Sequence, residues 1–103
     1  MVNMLGHFDP ASHKVEEFAS PSGPKSQPYV IVATKGALWH VESRAEPNAV
    51  VRFDPNTRTF QSWAIPGGGD IVRNMTVDHD GSPIMANSLA NLVGRIEIKS
   101  TTN

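Results

Sequence analysis

The chain of 103 residues contains no cysteine, so disulfide staples, thiolate metal sites and a cysteine nucleophile are excluded by count. It also lacks an excess of either charge: nine Lys and Arg stand against ten Asp and Glu, and Lys14, Lys25, Lys35 and Lys99 are scattered. A protein that tracks phosphates needs basic residues clustered on one face, so nucleic acid is not an expected partner. No apolar run approaches the roughly 20 residues of a membrane helix, and no membrane partner is expected. The first ten residues have neither the basic start nor the apolar stretch of a secretory signal, which predicts a cytoplasmic protein. Helical spacing is missing too. The best candidate, 86–93, is interrupted by Asn87, Ser88 and Asn91 and reads as a loop.

What the chain does contain is a repeat. Leu5-Gly6-His7-Phe8-Asp9-Pro10 returns as Val50-Val51-Arg52-Phe53-Asp54-Pro55, and more weakly as Val93-Gly94-Arg95-Ile96-Glu97-Ile98. Lys14-Val15-Glu16-Glu17-Phe18 likewise matches Thr59-Phe60-Gln61-Ser62-Trp63, and Pro21 matches Pro66. A period in the low forties is the length of a four-stranded propeller blade.

Short β-branched and aromatic runs predict nine strands near 4–8, 14–18, 29–34, 37–42, 49–53, 59–63, 71–77, 83–87 and 92–98. Asp9-Pro10-Ala11-Ser12 and Asp54-Pro55-Asn56-Thr57 read as type I turns, because Asp suits the first position and Pro presets φ at the second. Thr34-Lys35-Gly36 and Asp78-His79-Asp80-Gly81 close two further hairpins. The Pro-, Gly- and Ser-rich stretches 19–28 and 64–70 read as crossovers. The expectation is an all-β partial propeller of four-stranded antiparallel blades: a half blade at 1–20, a full blade at 27–66 and an incomplete blade at 70–99. A stack that stops part-way leaves strand edges and faces uncovered, so a homo-oligomer is expected.

Three segments then resemble the virginiamycin B lyases, a streptogramin lyase family linked to antibiotic resistance. Leu38-Trp39-His40-Val41-Glu42 is similar to that family's Leu-Trp-Phe-Thr-Glu strand, and Gln27-Pro28-Tyr29-Val30-Ile31 to its Pro-His-Gly-Ile strand. Asn91-Leu92-Val93-Gly94-Arg95 is similar to its Asn-Lys-Ile-Gly-Arg strand. The resemblance covers almost the whole chain and fits the carboxyl-terminal blades. It implies a closed propeller that opens a cyclic depsipeptide ester by elimination, using a His base, a Glu and bound Mg2+ near the axis. Such chemistry needs a base at the α-hydrogen and a cation for the charge that develops on the carbonyl oxygen.

Carried across, the positions of the catalytic His hold Tyr29 and Arg73, and those of the Glu hold Glu42 and Asn87. Tyr29 and Arg73 are not bases near neutral pH. They are candidates for binding a small-molecule or cyclic peptide ligand in the axial funnel, with interblade hydrogen bonding as the alternative. His40 and Glu42 alternate on one strand, so they share a face. They form either a base with its acid or metal ligand, or ordinary packing in which His40 replaces the family's Phe. Two functions follow: a non-catalytic binding and interaction unit completed by self-association, or a magnesium-dependent C–O lyase assembled between chains. Asp78-His79-Asp80-Gly81 lacks the later Glu of a calcium loop, and Gly67-Gly68-Gly69-Asp70 lacks the Lys-Ser/Thr of a phosphate cradle.

Overall fold

The computed structural model describes residues 3–44, 47–65, 72–87 and 92–98; of Lys25, Arg73, Asn87 and Leu92 it describes the backbone alone. Nine strands form along it: β1 Met4–Asp9, β2 Lys14–Ala19, β3 Pro28–Thr34, β4 Ala37–Glu42, β5 Ala49–Asp54, β6 Thr59–Ala64, β7 Val72–Val77, β8 Pro83–Asn87 and β9 Leu92–Arg95. Each pairs antiparallel with its neighbour in the sequence, giving sheets of two, four and three strands in the orders β1-β2, β3-β4-β5-β6 and β7-β8-β9. The architecture is all-β and antiparallel, and the three sheets do not close into a ring.

The repeat is visible in the backbone. Ala11 N–H donates to Asp9 Oδ1 and Asn56 N–H to Asp54 Oδ1, both at 2.9 Å. His13 N–H then donates to Asp9 O at 2.8 Å and Arg58 N–H to Asp54 O at 2.7 Å. His13 and Arg58 both take positive φ, 59° and 61°, so the two loops share one conformation down to an unfavourable residue. Beyond the hairpins, Ser20 N–H donates to Asn3 O and Ile65 N–H to Asn48 O. The Asp side chain that holds the turn does the same work in both copies.

Two segments depart from the sequence-based expectation. β9 stops at Arg95 instead of running to 98, because its partner strand begins at Pro83, which has no N–H to continue the ladder. Ile96 N–H still donates to Pro83 O, at 2.8 Å. The crossover 19–28 holds one turn of 3-10 helix, Gly23–Lys25, with Pro24 in its first turn, where a missing N–H costs nothing.

The sheets stack face to face. β4 lies in the middle and is buried on both faces from Trp39 to Glu42. Toward the third sheet it presents Ala37, Trp39 and Val41, which form one core with Val50, Ile65, Val72 and Met85. Toward the first sheet the contact is aromatic: the Phe18 ring lies 4.9 Å from that of Phe53, which lies 4.8 Å from that of Phe60.

A second tie between the second and third sheets runs through their turns. Lys35 and Gly36, both at positive φ, make the two-residue β3–β4 turn, and the Thr34 hydroxyl donates to Gly81 O at 2.9 Å. Gly81 has φ +88°, and a Cβ there would lie 2.6 Å from Lys35 Cε and 3.2 Å from Thr34 Oγ1. Gly81→Ala is therefore expected to lower stability by about 1–3 kcal/mol, through backbone strain and loss of this contact, read as an earlier urea midpoint. An unchanged midpoint would show that the two turns are not coupled.

Candidate functional site

His40 and Glu42 leave β4 on the face that meets the first sheet. There the chain runs out of β2 into Ser20 and turns through Ser22, so two hydroxyls are delivered over the carboxylate. Ser20 Oγ donates to Glu42 Oε2 at 2.6 Å; Ser22 donates its backbone N–H to Oε2 at 3.0 Å and its hydroxyl to Oε1 at 2.5 Å. Ser20 Oγ also lies 3.0 Å from His40 Nε2. The serine proton is committed to the carboxylate, so the serine oxygen accepts from Nε2–H. The network thereby assigns the tautomer and leaves Nδ1 as a buried acceptor with no partner among the described residues.

The cluster is closed to solvent: Ser20, His40 and Glu42 are 2%, 1% and 0% exposed. Phe60 stands edge-on to the imidazole at 6.4 Å. A nucleophilic serine needs a histidine that takes its proton, whereas here Glu42 takes it and the histidine donates. Both carboxylate oxygens already accept from serine, and among the described residues no group of three His, Asp or Glu side chains could hold a metal ion. A substrate or cation reaches Glu42 only by displacing Ser20 and Ser22. As built, the cluster pins the crossover after β2 to the carboxyl end of β4 and joins the first sheet to the second.

Burial pushes the His40 imidazole below its ordinary pKa, and the neighbouring Glu42 charge opposes this only in part. In the unfolded chain the imidazole titrates near 6.5. The unfolded state therefore binds the proton first as pH falls, and the stability that neutral His40 supplies is full above about pH 6.5 and lost as pH drops toward the folded pKa. In that window the slope reaches at most about 1.4 kcal/mol per pH unit. Urea unfolding between neutral and mildly acidic pH should show this slope in the native chain and lose it in His40→Phe. A parent chain with no such slope would place the proton elsewhere.

The positions implied by the resemblance divide. His40 and Glu42 come together with Ser20. Tyr29 and Arg73 lie on β3 and β7, strands that pack against each other. Each lies in a stretch where the ladder slips by one residue, between Pro28 and Ile31 in β3 and between Val72 and Asn74 in β7. Bulges of this kind re-aim a side chain and are common beside binding sites. Tyr29 is 58% exposed, and its neighbour Ile31 49%. The side chains of Arg73 and Asn87 lie outside the described ones.

Sequence reasoning missed Ser20 and Ser22. One signal was present: Ser20 occupies the repeat position of Ile65, a polar residue where the other copy is apolar and buried. No family model matches this chain, and neither curated proteins nor solved structures give a significant match to it.

Proposed function

We propose that the chain is a binding and interaction module, a segment of a propeller of the streptogramin lyase type that is completed by association with further copies of itself. The observation that carries this is the outward face of the first sheet, where Phe8 and Val15 are 56% and 60% exposed beside Met4 at 41%. Phe8 and Val15 are paired across β1 and β2 and occupy the repeat positions of Phe53 and Phe60; within the chain Phe18 covers Phe53. At the other end, the outward face of the third sheet offers Val93, 76% exposed, with Asn74, Thr76 and Ala86. The chain already stacks one sheet on the next by this kind of contact, so copies stacked head to tail would repeat it.

A small-molecule or cyclic peptide ligand would meet the completed assembly at the bulges of β3 and β7, where Tyr29 is open to solvent. The lyase alternative, with Mg2+, draws no support from Glu42, both of whose oxygens accept from serine, or from His40, whose Nε2 is engaged by Ser20.

Light scattering of the purified chain over a wide dilution range tests the proposal. A defined multiple of the chain mass built head to tail supports it; a folded chain that stays monomeric throughout, or a closed two-fold dimer, overturns it.

A further inference from the structure

The first sheet has two strands where the second has four. Sheets stack strand over counterpart, as β7 does on β3, so the repeat sets β1 and β2 over β5 and β6 and no described strand over the near face of β3. That face carries Tyr29, Ile31 and Ala33, all exposed, with Leu38 half-buried beside them on β4. The opposite face of the same strand, at Val30 and Val32, is packed against the core. β3 is therefore covered on one side only, and the uncovered side is uncharged.

β1 borders this floor with an open edge. Ser20 N–H donates to Asn3 O, which fixes the phase of the ladder: Leu5, His7 and Asp9 bond to β2, while Met4, Gly6 and Phe8 turn their backbone N–H and C=O groups the other way. Among the described residues no strand meets them. The second sheet shows what such an edge takes. Ala49, Val51 and Phe53 hold the same repeat positions on β5, and β4 pairs with them through Glu42, His40 and Leu38. A strand antiparallel to β1 would continue the first ladder in that register. Its alternate side chains would then point to the floor, so backbone pairing supplies the affinity and apolar contact the selectivity.

We propose that the open edge of β1 binds an extended, uncharged peptide segment as an added antiparallel strand, its inward side chains resting on Ile31 and Leu38. The site goes beyond the association reading. Edge and floor belong to one chain, so it holds whether or not copies join.

Titrating the capped peptide acetyl-Thr-Val-Thr-Val-Thr-Val-Thr-amide into the nitrogen-labelled chain should move the amide signals of Met4, Gly6 and Phe8 downfield and saturably. Those of Leu5 and His7, already bonded to β2, should move less. In the phase set by β1, the peptide residues whose side chains face the floor point their N–H groups away from β1. The peptide with its valines N-methylated should therefore bind within a few-fold of the parent, whereas the one with its threonines N-methylated should lose at least roughly tenfold. Ile31→Asp, at a half-exposed position, should also lose about tenfold. No saturable change, valine methylation as costly as threonine methylation, or full affinity in Ile31→Asp would overturn the proposal. So would movement of the three signals on dilution alone, which would make a second copy the occupant of the edge.

Discussion

Glu42→Leu is expected to destabilise the chain by about 3 kcal/mol or more, because it leaves two serine hydroxyls and a backbone N–H without the acceptor they now share. A net stability of roughly 5–15 kcal/mol is typical of a whole domain, and a chain this short lies toward the lower end. The loss is therefore a large fraction of the total. Ser20→Ala and Ser22→Ala each remove one charge-assisted bond and should cost about 1.5–3 kcal/mol. The decisive comparison is the double variant: once Glu42 is leucine, Ser20 keeps only its contact with His40 Nε2, and Ser20→Ala should cost less than it does in the parent chain. Urea unfolding followed by tryptophan fluorescence measures all four chains. If Glu42→Leu proves neutral or stabilising, the carboxylate is not held for stability, since an apolar residue of similar size can replace a buried charge at no cost. A functional role for Glu42 would then be the stronger explanation.

The ladder of strands was legible because its determinants are local. Asp9 and Asp54 close their loops through hydrogen bonds within four residues of themselves, and Lys35-Gly36 turns β3 into β4 by positive φ. Alternation predicted that His40 and Glu42 share a face, and they do. It could not say which sheet that face meets, because Ser20 and Ser22 lie about twenty positions away and reach the carboxylate only when the first sheet stacks on the second. The bulges at Tyr29 and Arg73 were equally hidden: an extra residue in one strand leaves that strand's own pattern intact and shows only in its pairing with the next. The same limit applies to Trp39: whether its buried indole N–H finds an acceptor depends on what packs around it, which the strand pattern does not carry.

Phe8→Asp is expected to break self-association while leaving the fold intact, and the way it does so distinguishes two kinds of assembly. The ring is already 56% exposed in the single chain, so the substitution costs little there. In an interface it removes about 2 kcal/mol of apolar burial and sets an unpaired carboxylate in its place, which should weaken association roughly a hundredfold. Val93→Asp should act similarly at the opposite end, where the residue is 76% exposed. If copies meet head to tail, each variant still keeps one good face. Neither variant assembles alone, but a mixture should form pairs of twice the chain mass, with the intact first-sheet face of Val93→Asp seated on the intact third-sheet face of Phe8→Asp. Light scattering of the mixture reads this directly. If instead two first-sheet faces meet each other about a two-fold axis, Phe8→Asp alone abolishes assembly, Val93→Asp leaves it untouched, and mixing restores nothing. The two-fold result would show a dimer that covers its apolar face without extending the stack, and the proposal that further copies complete a propeller would fail with it.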